Sequence, residues 1–172
     1  MTGTTWRWLG GALVALFSTA AASADTLIPL EQFAAAPAIA SPALSPDGKH
    51  LVYIGHVKGH ANILLYDFDL KTTKPILSGE ANVFTVSWCG FKNNERVLCG
   101  FHGTDYEGGR PFPTTRLVAM NIDGSQLKVL IQNRGQNGQQ VQLQDRVLHW
   151  LPDDPRYVVI QLDDDGDIYP DV

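Results

Sequence analysis

A chain of 172 residues with 44% hydrophobic content makes one ordinary globular domain and no more. Its formal charge of −5, with lysines and arginines scattered along the chain, excludes the clustered positive face that nucleic acids require. Once the N-terminus is set aside, no apolar run is long enough to span a bilayer. The first element in chain order is a leader. Arg7 precedes the short apolar core Ala12–Phe17, and Ala22-Ser23-Ala24 supplies a small-x-small cleavage site. A membrane anchor needs a longer apolar stretch, and this one dissolves into Ser18, Thr19 and alanines. Residues 1–24 are therefore expected to be a removed signal peptide. The mature protein would start at Asp25, periplasmic or extracellular and free of the membrane.

Residues 25–38 read as a helical lead-in. Ile28 to Pro37 holds one or two helical turns, with Pro29 tolerated in the first and Pro37 ending the helix. Leu30 and Phe33 are expected to pack onto the body.

The body, residues 39–172, repeats one unit. Ser45-Pro46-Asp47-Gly48-Lys49 is a tight turn, since Pro46 fixes φ ahead of it and Asp-Gly supplies a cap and a positive φ. Leu51 to Ile54 then runs apolar without alternation, the mark of a strand covered on both faces. Trp88 to Cys99 and Trp150 to Ile160 repeat the pattern of apolar approach, polar turn, basic residue and short apolar strand. With Val52, Val97 and Val158 aligned, the spacings are 45 and 61 residues. Periods of that order suit four-stranded propeller blades, although an unrelated series of hairpins would share the pattern. The expected fold is all-β: a partial propeller of about two and a half blades, over residues 39–80, 81–134 and 144–172.

In blade one, strands are expected at Ile39–Leu44, Leu51–Val57, Asn62–Leu70 and Pro75–Leu77, the third lying outward toward solvent. In blade two they fall at Val83–Cys89, Arg96–Phe101, Arg116–Asn121 and Leu127–Ile131, with a turn at Asp123-Gly124. Gly103 to Pro113 reads as an inserted loop, either a plain connection or a ligand-touching one. The Gln/Gly/Asn-rich stretch Gly135–Gln144 connects to blade three, whose strands are Gln144–Leu151 and Tyr157–Leu162. Two strands of four leave Tyr157–Ile160 as an open edge, so the chain is expected to be the N-terminal fragment of something longer.

These residues resemble the start of bacterial secreted serine peptidases of the prolyl oligopeptidase family, which includes dipeptidyl and acylaminoacyl peptidases. The resemblance rests on the signal peptide, Ile28-Pro29-Leu30 followed by Phe33, and Leu44 to Lys49 leading into Leu51-Val52-Tyr53. Arg116 to Gly124 and Asp163 to Val172 resemble its propeller segments too, so it covers most of the mature chain. It implies a propeller that gates peptide substrates toward a C-terminal α/β-hydrolase domain, where a serine sits in a Gly-x-Ser-x-Gly elbow. This chain contains no such elbow. Nor does it carry the paired glutamates with which the dipeptidyl branch holds a substrate amino terminus; Tyr106-Glu107 is the nearest approach. No catalytic residue is assigned to it, and no cofactor is expected.

Other constellations are weak. Asp163, Asp165, Asp167 and Asp171 supply oxygens for calcium, but Gly166 comes fourth rather than sixth and no glutamate follows, which favours a solvated hairpin turn. Cys89 and Cys99 lie symmetrically about Asn94, so they would face each other across two strands, as a disulfide or as two buried thiols. His50, His56, His60, His102 and His149 are dispersed, and the four-residue spacing of His56 and His60 is a metal spacing only on a helix. Gly100 to Gly109 is glycine-rich but opens no helix, so it is no phosphate cradle. No metal site is expected.

Overall fold

The computed structural model describes residues 28–35, 37–57, 59–78, 84–131 and 141–163, with the side chains of Phe33 and Glu107 left aside. The expected signal peptide and the carboxylates Asp165, Asp167 and Asp171 lie outside the described residues. Residues 1–35 and 36–172 form separate units. In the first, α1 (Leu30–Ala34) is a single short turn of helix in which the Gln32 amide donates to the Pro29 carbonyl at 2.9 Å. Leu30 is 78% exposed.

The second unit is built from antiparallel meanders. β1 (Ala40–Leu44), β2 (His50–Val57), β3 (His60–Asp67) and β4 (Thr72–Leu77) pair in sequence order. β5 (Phe84–Phe91), β6 (Arg96–Glu107), β7 (Arg110–Asn121) and β8 (Lys128–Val129) repeat that order in a second sheet. β9 (Val147–His149) and β10 (Val159–Ile160) form a two-stranded third. Four-stranded meanders stacked face to face along the chain are the blades of a β-propeller, here two of four strands each and, among the described residues, two strands of a third.

Side-chain alternation decides what each blade covers. Val52 and Ile54 of β2, with Ile63 and Leu65 of β3, form one face of blade one. They pack in a single cluster with Val97 and Cys99 of β6 and Val118 and Met120 of β7. The intervening residues Leu98, Leu117 and Ala119 point to the other face of blade two, against Val147, Trp150, Val158 and Ile160 of the third sheet. Blade two is therefore covered on both sides, whereas Leu51 and Tyr53 on the far side of blade one are only half-buried. The unalternating run Leu51–Ile54 is buried on one face, not two.

This arrangement corrects three expectations. Val52 and Val97 meet across the seam, so they sit on opposite faces of their own blades and are not equivalent positions; a one-residue slip flips a strand's face. The residue of β6 that faces onward, as Val52 does, is Leu98. The third strand of blade one is as deeply buried as the second, since Ile63 and Leu65 are both 1% exposed. Of the expected strand Tyr157–Leu162 only Val159 and Ile160 form β10, and Tyr157, outside it, is 59% exposed.

The polar turns lock the same rim. Gly48 takes φ +71°, which a side chain would resist, and its amide donates to the Ser45 carbonyl at 2.9 Å. Ser45 Oγ donates to Asp47 Oδ1 at 2.6 Å, and that carboxylate also accepts from the Lys49 amide at 3.1 Å. Asn94 Oδ1, from the blade-two turn, accepts from the Asp47 amide at 3.0 Å and ties the two turns together. Asp154 caps the third turn by accepting from the Arg156 amide at 2.9 Å. These bonds favour the ionised form, so the Ser45 hydroxyl and then the Lys49 amide hold Asp47 below the ordinary aspartate value. Asp154 is lowered in the same way, chiefly by the Arg156 side chain. A carboxylate with a lowered folded-state pKa stabilises the turn above the unfolded value, and that contribution disappears as pH falls through the folded one. An NMR titration of the Asp47 carboxyl is expected to show a midpoint below about 3.9, rising on Ser45→Ala; a midpoint at or above that value in the wild type would contradict this.

Between blades two and three a close approach fixes one residue type. A Cβ at Gly100 would overlap the Trp88 indole, which donates from Nε1 to Asp145 Oδ2 at 3.2 Å. Trp88 in turn meets Trp150 edge-on, with ring centroids 6.2 Å apart.

Candidate functional site

The stretch expected as an inserted loop, Gly103–Pro113, is instead strand. β6 and β7 pair without interruption from Arg96↔Asn121 to Glu107↔Arg110, turning at Gly108-Gly109. Alternating Thr104, Tyr106, Phe112 and Thr114 sustain the ladder, and two glycines at positive φ close it. Among the described residues β5 pairs with β6 from Phe84↔Gly103 to Phe91↔Val97. The tip of the β6–β7 hairpin presents Tyr106, which is 66% exposed. Residues 141–144 run beside its β7 edge: the Thr115 amide donates to the Gln142 carbonyl at 2.9 Å, and Gln142 Nε2 donates to the Pro113 carbonyl at 2.7 Å.

At the base of this hairpin a pocket of about 500 Å³ opens on the seam between blades one and two. Leu77 supplies the blade-one wall, and Phe84, Phe101 and Val118 the floor from blade two. Leu127, Val129 and Ile131 form the outer rim. Among the described residues Arg116 is the only charged side chain in this lining. β7 places it on the same face as Val118 and Met120, and its guanidinium carbon lies 5.4 Å from the centre of the Phe84 ring. Its Nη1 donates to Thr114 Oγ1 and to the Thr115 carbonyl, the latter at 2.7 Å. Its Nη2 lies 3.7 Å from Asp105 Oδ2, an ion pair longer than a hydrogen bond. Burial pushes the guanidinium below its ordinary value, and Asp105 only partly offsets this. The pocket therefore offers an apolar wall and one under-compensated cation, a chemistry of binding.

The residues singled out from the sequence are dispersed over the fold. His50 Nε2 pairs with Asp67 Oδ2 at 3.6 Å beneath the first turn. His56 and His60 are exposed on β2 and β3, His102 on β6 and His149 on β9, where its Nδ1 accepts from the Leu151 amide at 2.9 Å. Among the described residues no three His, Cys, Asp or Glu side chains come together as a metal set. Cys89 and Cys99 face each other across β5 and β6 and are joined as a disulfide, both buried in the seam. Of the glycine-rich stretch Gly100–Gly109, all but the turn glycines Gly108 and Gly109 lie in β6. Arg116 was not anticipated as a site residue. Its signal was present as a charge in register, at period two, with the buried Val118 and Met120.

No protein-family model matches the sequence, and no curated protein matches it. Solved structures match at low similarity. An acylaminoacyl peptidase in complex with Z-Gly-Gly-Phe-chloromethyl ketone is 16% identical with a TM-score of 0.44, over 80% of this chain and 25% of its own. TolB from Acinetobacter baumannii is 20% identical with a TM-score of 0.38, over 77% of this chain and 31% of its own. An isopeptidase in its apo form is 14% identical with a TM-score of 0.41, over 56% and 19%. The chain thus spans a third or less of the length of each. No helix among the described residues is long and apolar enough to cross a membrane.

Proposed function

We propose that this chain is the N-terminal propeller portion of an exported serine peptidase that hydrolyses short peptides. The propeller gates access to a C-terminal α/β-hydrolase domain outside these residues, and no catalytic residue is assigned within them. The observation that carries this reading is the resemblance of the leader and of Leu44 to Tyr53, a turn that opens the first of two stacked four-stranded blades. Export is supported by the Cys89–Cys99 disulfide, since such bonds persist in oxidising compartments. A second reading, a non-enzymatic periplasmic propeller that binds partner proteins through its rim, is favoured by the long β6–β7 hairpin with Tyr106 exposed near its tip.

The gating claim predicts discrimination by size. The complete gene product is expected to cleave a short peptide and to leave the same sequence uncut in a surface loop of a folded protein. Equal cleavage of both would remove the gate, and cleavage of neither would favour the rim-binding reading.

A further inference from the structure

We propose that the pocket on the seam between blades one and two binds an aliphatic monocarboxylate, its head on Arg116 and its chain along the apolar rim. This does not rest on the peptidase reading, since the pocket lies wholly within the described blades.

Three features specify the ligand. The pocket, at about 500 Å³, falls in the range of small-molecule sites, and every lining residue but Arg116 is apolar. The rim is unusually greasy for a surface: Leu127 and Val129 are each 49% exposed, and an apolar chain laid across them would remove that area from water. The head chemistry follows from the cation. Arg116 is only 11% exposed in its side chain and spends Nη1 on Thr114 and Thr115. Nη2 has the Asp105 carboxylate at 3.7 Å, too far for a hydrogen bond, so a donor edge remains for an anion. One carboxylate suits this site, because a planar guanidinium edge matches it in shape and charge. A dianionic phosphate would add charge against Asp105. Phe84, under the guanidinium, keeps water from the pair and strengthens it.

The test is titration calorimetry of the complete gene product with decanoate below its micellar range, and with 1-decanol as the neutral analogue. Saturable binding of one decanoate is expected, with decanol weaker. Arg116→Gln should weaken decanoate about tenfold or more, as expected when a charge-assisted hydrogen bond is lost. Arg116→Lys, which keeps the charge but not the planar donor edge, should bind decanoate more tightly than Arg116→Gln and more weakly than the wild type. Leu127→Trp fills the pocket from its exposed side and should abolish binding without disturbing the buried seam, so it carries the test if Arg116→Gln unfolds. Failure to bind decanoate saturably, equal binding of decanol, or decanoate binding untouched by Arg116→Gln or by Leu127→Trp would each overturn the proposal.

Discussion

Val52→Asp is expected to unfold the protein at temperatures where the wild type is native. Val52 has no exposed surface and sits in the seam with Ile54, Ile63 and Leu65 on its own blade and Val97 and Cys99 on the next. None of these side chains can solvate a carboxylate, so the mutant must bury an unpaired charge or take up a proton, and either way loses the valine's apolar contacts. The cost should exceed about 4 kcal/mol, a large share of the 5–15 kcal/mol that holds a typical domain together. Leu51→Asp is the informative control. Leu51 is the preceding residue of the same strand, is half-buried, and points away from the seam. It should cost far less. Thermal melting of both variants checks the claim, and equal losses would show that the two faces of β2 are buried alike.

The second large effect concerns the disulfide. Removing Cys89 and Cys99 together as alanines is expected to cost about 3 kcal/mol, the chain-entropy value for a loop of this length, given a separation of 10 residues. The bond staples β5 to β6 just past an irregularity in their register between Val86 and Trp88, and it lies in the core shared with blade one. Loosening it should therefore be felt in both blades. Denaturant midpoints with and without reductant give the answer, with thiol counting to establish that reduction is complete. An unchanged midpoint in the fully reduced protein would show that the seam alone holds the strands in place.

The repeat was legible because turn chemistry is local. Asp47-Gly48, Asn93-Asn94 and Asp153-Asp154 each announce a tight turn through residues whose side chains cap their own backbone. The face of each strand was not legible, because an apolar run such as Leu51–Ile54 carries no alternation, and only the neighbouring blade decides which residues are covered. Aligning valine on valine matches composition and misses parity. The β6–β7 hairpin reads as a loop for a related reason. Gly103, Gly108, Gly109, Pro111 and Pro113 look like loop chemistry, yet the ladder accommodates Pro111 opposite Tyr106 and Pro113 opposite Thr104 at an edge that residues 141–144 only partly cover. The Arg116 pocket was invisible in sequence because its walls come from two blades: Leu77 from one, Phe84 and Phe101 from the next.

The central claim is that these blades serve a catalytic serine lying outside them. The most direct measurement is to treat the complete exported gene product with a fluorophosphonate serine-hydrolase probe and map the modified peptide. A serine hydroxyl reacts only when a base deprotonates it beside preformed oxyanion donors, so labelling reports a working site rather than a mere serine. The account predicts a single labelled serine beyond Val172, within a Gly-x-Ser-x-Gly segment. A label on any serine within residues 25–172, or no label on a folded and complete product, would contradict it.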